Sequence, residues 1–216
     1  MGVTMRLPAF FERVPRLVMR DPFAELLGAA EGGILEYGYA DAVRLAGHSC
    51  PTVASAYWLT VRALGELYPD SLPERGGVLV ESQGDPRQGA NGVVMHVVQL
   101  LTGAADATGF KGLFGHHRRA GLQRFTPELP MELRFTRLDT GVAVDAEADM
   151  HMLPASTELS ALLGRYGHGQ CDAQALARLG ELWQSRVEHL LMDLRDDERV
   201  FVIRPVSSGS DLSRSA

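Results

Sequence analysis

The run from Pro51 to about Tyr68 constrains this chain more than any other. Val53, Ala54, Ala56, Tyr57, Trp58, Leu59, Val61 and Leu64 cover nearly every face of a helix over that span. A helix that is apolar all round has no face to give to water, so the rest of the chain must be built around it. Pro51 suits the first helical position, where a missing N–H leaves nothing unpaired.

A second apolar helix is expected from Asn91 to Gly103, with Val93, Val94, Val97, Val98, Leu100 and Leu101 spread around it. At 100° per residue one polar or small stripe is left over: Gly92, His96, Gln99 and Gly103 fall within about 40° of one line. That stripe reads as the border of a polar pocket, its glycines allowing a ligand or another backbone to come close. The alternative is a core histidine satisfied by Gln99.

Other elements follow from local signals. Residues 9–30 read as helical, broken by Pro15 and Pro22, with Asp21 capping a short helix that opens on Pro22. Tyr39 to Ala46 reads as a short helix stopped by Gly47, and Gly77 to Glu81 as an inner strand. Lys111–Arg118 and Ala120–Phe125 are expected to pair as strands. Glu132–Leu138 and Val142–Ala146 alternate about Asp139-Thr140-Gly141, a hairpin signal. A helix over 156–164, an amphipathic helix from Cys171 to Leu194 and a strand over Val200–Ile203 complete the list. The expected class is α+β: a mixed or antiparallel sheet packed by the two buried helices, with C-terminal helices added. Residues 1–205 form one domain in this reading, and 206–216 a disordered tail.

The totals exclude some roles. The net charge of −6 argues against a general affinity for nucleic acid or an anionic membrane, although His117-Arg118-Arg119 is a local basic cluster. No stretch approaches the roughly 20 apolar residues of a membrane-spanning helix. Two cysteines far apart in sequence, Cys50 and Cys171, make no disulfide framework, which favours a reducing, cytoplasmic setting.

The chemistry is concentrated just before the first buried helix, in Gly47-His-Ser-Cys-Pro51. Cys50 stands at the N-cap, where unpaired N–H groups and the helix dipole favour a thiolate. His48 adds a second donor in the same turn. The plainer reading makes Cys50 a small apolar filler and His48 a backbone-paired histidine. One His-x-Cys is only half a metal site, since structural zinc takes four ligands. His116 and His117 are expected on a strand, with at most one facing inward.

The motif Gly-His-Ser-Cys-Pro before a buried helix resembles the signature of the FmdE-like family of formylmethanofuran dehydrogenase-related proteins. Val97-Val-Gln-Leu-Leu-Thr-Gly103 is similar to that family's helix ending in Gln-x-x-Thr-Gly, and Gly109-Phe-Lys-Gly-Leu113 to its glycine- and lysine-containing segment. The resemblance covers about residues 39–148. It implies an α+β core, often dimeric, with a metal held near the His-x-Cys motif. It also marks departures: Ala46 stands where the family commonly has histidine, Ala104 where it has cysteine, and His96 at an aspartate position. Cys171 is the only later cysteine, so the C-terminal zinc finger of some members is missing.

The leading expectation is therefore a metal-binding protein and homodimer, with zinc held by His48, Cys50 and His96 and with His117 as fourth ligand, in a possible redox or hydrolytic role. Gln99 and Tyr57 are expected beside the ligand. Three alternatives stand: a haem protein with His48, Cys50 or His96 as axial ligand and Tyr57, Trp58 and Met95 lining the pocket; an enzyme with Cys50 as catalytic nucleophile and His96 as base; and a non-enzymatic assembly subunit.

Overall fold

Pro51–Leu67 (α3) lies at the centre of the protein, as its composition requires. Tyr57, Leu59, Ala63 and Leu64 are fully buried, as are most positions from Val53 to Thr60, and only Gly65 and Glu66 near the C-terminal end are exposed. The computed structural model describes residues 6–207. Within them the protein is an α+β fold whose main sheet has five strands.

The chain enters through a 3-10 turn, Ala9–Arg13, and a strand, Leu17–Arg20 (β1). A short helix, Pro22–Leu26 (α1), leads to Ile34–Tyr37 (β2), which pairs antiparallel with β1 as a separate two-stranded sheet. Tyr39–Ala46 (α2) precedes α3. Then come Val78–Ser82 (β3), Asn91–Thr102 (α4) and Gln123–Phe125 (β4). The hairpin Leu133–Arg137 (β5) and Ala143–Ala148 (β6) follows, then Thr157–Gly167 (α5), Ala173–Met192 (α6) and Phe201–Pro205 (β7). The five-stranded sheet runs β4-β3-β5-β6-β7, with β3 and β4 parallel and every other pair antiparallel. Helix α3 packs on β5, β6 and β7, and on α2, α4 and α6 besides.

Most expected elements form, and their ends obey the local chemistry. Asp21 caps α1, its carboxylate accepting from the N–H groups of Phe23 and Ala24, and Pro22 opens the helix. Helix α2 stops at Gly47, which takes the left-handed conformation at φ +76°.

Four expectations are corrected. Residues 17–20, within the stretch read as helical, form a strand that pairs with the unassigned residues 34–37, because the prolines at 15 and 22 close off a segment too short for a helix and its side chains alternate in burial. Lys111–Arg118 is a looped segment, not a strand: Phe114 and His117 take positive φ, as do Gly112 and Gly115. Strand β4 finds its partner in β3 instead. Helix α4 is amphipathic, not buried all round. Met95, Val97, Val98 and Leu101 face the core, while His96 and Gln99 are exposed. Of the expected tail, residues 208–216 lie outside the described residues. No described helix is long and apolar enough to cross a membrane.

Candidate functional site

The turn from Gly47 to Cys50 joins α2 to the central helix, and three neighbours hold it. The Ser49 carbonyl accepts two side-chain N–H groups from α6: the indole of Trp183 at 3.0 Å and the amide of Gln184 at 3.2 Å. The Ser49 hydroxyl lies 2.9 Å from that of Tyr39, on the first turn of α2. Burial pushes the Tyr39 phenol well above the ordinary tyrosine range, partly offset by the Ser49 hydrogen bond, so it remains a neutral hydroxyl.

Cys50 is the N-cap of α3, half-buried, and its sulfur accepts from the Val53 N–H at 3.5 Å. The capping role expected of it is thus observed. His48 is exposed, with Nδ1 3.0 Å from the Ala46 carbonyl oxygen. A carbonyl only accepts, so Nδ1 carries a proton, and in the neutral ring the lone pair lies on Nε2. A ring fixed this way, through the nitrogen that does not bind, is the usual arrangement of a metal-ligating histidine.

The other expected donors lie elsewhere. His96 is on the exposed face of α4, near Asp106 in the loop that follows. Of the stripe, His96 and Gln99 face outward, whereas Gly92 is half-buried against the Pro86 carbonyl and Gly103 is buried against the side chains of Arg75 and Arg119. His117 packs its ring against Phe23, 5.2 Å between centroids. Among the described residues no group of three or more His, Cys, Asp or Glu side chains is gathered as a metal cage would need. Tyr57, expected beside a ligand, is fully buried in the core; its hydroxyl donates to the Pro15 carbonyl at 2.8 Å. Trp58 and Met95, placed with it around a haem in one alternative, are also core residues, and the Trp58 indole donates to the Arg195 carbonyl at 2.7 Å. Cys171 stands apart, before α6, its thiol directed at the Leu162 carbonyl.

Two residues that hold the turn went unforeseen. Trp183 reads in the sequence as part of the apolar stripe of the Cys171–Leu194 helix, and Gln184 carries no signal of its own. A half-buried indole N–H does need an acceptor, but nothing local says that Ser49, 134 positions away, provides it. The Gln184 amide carries a further feature: its Oε1 is the one buried side-chain atom without a hydrogen-bond partner among the described residues.

A separate buried cluster ties the ends of this half of the protein together. Asp21 accepts from Arg75 at 3.1 Å and from Arg119 at 2.7 Å. Burial alone would raise the Asp21 carboxyl, but Arg119, Arg75 and the two cap N–H groups outweigh it and hold it below the usual carboxylate range. Burial pulls Arg119 downward too, yet a guanidinium stays charged wherever the protein is folded. The cluster is a structural triad of charges, and Arg75 extends it by donating to the Leu100 carbonyl at 3.2 Å.

Compared with protein-family models and with curated proteins, the chain finds no match.

Proposed function

We propose that the His48–Cys50 turn is a metal-binding half-site, and that the chain is a metal-binding protein of the FmdE-like kind. The observation that carries this reading is the state of His48. Its Nδ1 is spent on the Ala46 carbonyl, which leaves Nε2 as a free donor on an exposed ring two residues from Cys50. The plainer reading also expects that backbone pairing; what favours a metal is that the nitrogen left over is exposed beside a half-buried thiol.

The donor types suit zinc, which takes imidazole and thiolate together. Their number falls short: one chain offers two donors at the turn, against the four of a closed zinc site. The reading therefore includes a second copy, whose own His48 and Cys50 bring the set to four about a two-fold axis. When bound, a metal with four protein donors would supply a structural cross-link between the two copies; the chain's own part is to hold the turn still, through Trp183, Gln184 and Tyr39. The orphan Oε1 of Gln184 adds support, since that same amide grips Ser49 and has an acceptor to spare for a group bound at the turn.

Titration of the metal-free protein with cobalt(II) tests the reading. Thiolate-to-cobalt absorption that appears with the native chain and vanishes in Cys50→Ser, with the visible bands altered in His48→Ala, is the expected result. Cobalt bound equally by both variants places the metal elsewhere.

A further inference from the structure

Phe114 is 93% exposed and adopts φ +50°. Both facts are costly for a phenylalanine. Leu113 and His116 exchange backbone hydrogen bonds at 2.9 Å each way, so Phe114 and Gly115 form a two-residue hairpin turn. Positive φ at both residues, +50° and +85°, gives it the sense of a type I′ turn, whose first position favours asparagine or glycine. A bulky side chain there is a backbone outlier. Strain of this kind persists where the structure around it enforces it, and points toward function.

The enforcement is visible. At the base of the loop Phe23 stacks on Phe110, 5.1 Å between centroids, and on His117 at 5.2 Å. The N–H groups of Arg119 and Ala120 both reach the Phe110 carbonyl, and the Arg119 side chain is locked to Asp21. Gly112 has no alternative, because a Cβ there would stand 2.5 Å from the His116 carbonyl oxygen. A rigid stem thus presents Phe114, with Leu113 at 39% exposure beside it.

The charge around this tip is one-sided. Residues 107–127 contain four Lys or Arg and no Asp or Glu, in a chain of net charge −6; Arg119 is buried against Asp21, which leaves Lys111, Arg118 and Arg124. Lys111, His116 and Arg118 are exposed around the tip. We infer that the Lys111–Arg118 loop docks the protein peripherally onto an anionic lipid surface, with Phe114 and Leu113 inserted between headgroups and the cations against them. A protein partner or second copy would need about 800 Å² from each side for a stable interface. One aromatic side chain buries only about 150–250 Å². A bilayer needs no matching surface, only an apolar tip and a ring of positive charge. A single-stranded nucleic acid would use stacking platforms along a groove, whereas a lone tip flanked by leucine suits acyl chains. The overall negative charge argues against general membrane affinity, but it is an average that this loop locally reverses.

The test is co-sedimentation of the full chain with phosphatidylcholine vesicles, with and without phosphatidylglycerol, beside thermal melting. The decisive variant is Phe114→Asn, which places a favoured residue in the strained turn. It should keep or raise the melting temperature while weakening partition onto anionic vesicles by roughly ten- to a hundredfold, the worth of one buried aromatic side chain. Lys111→Gln should weaken it by roughly fivefold. Failure of the native chain to bind anionic vesicles, or equal binding by Phe114→Asn, overturns the inference. So does a Phe114-dependent affinity for oligodeoxythymidine, or a Phe114-dependent dimer in sedimentation equilibrium, without vesicle binding.

Discussion

The indole N–H of Trp183 donates to the carbonyl of Ser49 at 3.0 Å, joining the C-terminal helix to the turn that carries His48 and Cys50. The turn is therefore not a local structure. Its geometry depends on α6, a helix that would otherwise read as an independent cover with its own apolar stripe.

Trp183→Phe keeps the ring packing and removes that donor, at a cost of about 1 kcal/mol, since Gln184 still satisfies the carbonyl. Trp183→Phe with Gln184→Leu leaves the Ser49 carbonyl without either partner and costs about 1–3 kcal/mol more. Urea denaturation reads the stability. Hydrogen exchange at residues 47–50 should rise in the double variant before global unfolding does. Exchange there that matches the native protein would mean that α6 does not hold the turn.

Asp21 predicts an acid-sensitive fold. Its folded pKa is depressed, so its contribution is fully present above the unfolded value of about 3.9 and is lost as pH falls through the lower folded value. Asp21→Asn leaves Arg119 buried without its counter-charge, at a cost of about 3–5 kcal/mol near neutrality. The gap between native and variant stability should narrow below about pH 4, as the native carboxyl protonates. A gap that stays constant across that range would assign the loss to packing instead.

The two cysteines should react unequally. The Cys50 sulfur accepts an N–H in a turn that carries an exposed histidine, whereas the Cys171 thiol is directed at the Leu162 carbonyl. Iodoacetamide should label Cys50 first in metal-free protein, and bound metal should protect it. Faster labelling of Cys171 by mass spectrometry would count against the turn as the reactive site.

His96→Ala should be nearly silent. The ring lies on the exposed face of α4, so both stability, within about 0.5 kcal/mol as for ordinary surface changes, and metal content should hold. A large loss of metal would show that His96 reaches the turn of a second copy, and would restore it to the ligand set.

What the sequence made legible was whatever local chemistry decides. The caps at Asp21 and Cys50, the stop at Gly47, the central helix and the β5–β6 hairpin depend on neighbouring residues and form as read. The exposed face of α4 was misread because Gly92, His96, Gln99 and Gly103 mark a stripe without saying what covers it: Pro86 and the Arg75 and Arg119 side chains close on its two glycines and leave His96 and Gln99 exposed. The β1–β2 pair was hidden by prolines that look like helix breaks. Within the candidate site His48 and Cys50 were evident as a motif, while the grip of Trp183 and Gln184 was not. Contacts across such separations leave no periodic trace, and only the closed fold brings them together.

The most direct measurement is the metal-to-chain ratio of untagged protein, by elemental analysis of a sedimentation-defined species. A half-site completed by a second copy predicts one zinc per two chains in a dimer, lost together in Cys50→Ser and His48→Ala. A metal-free native protein, or a metal content that neither variant changes, would contradict the account.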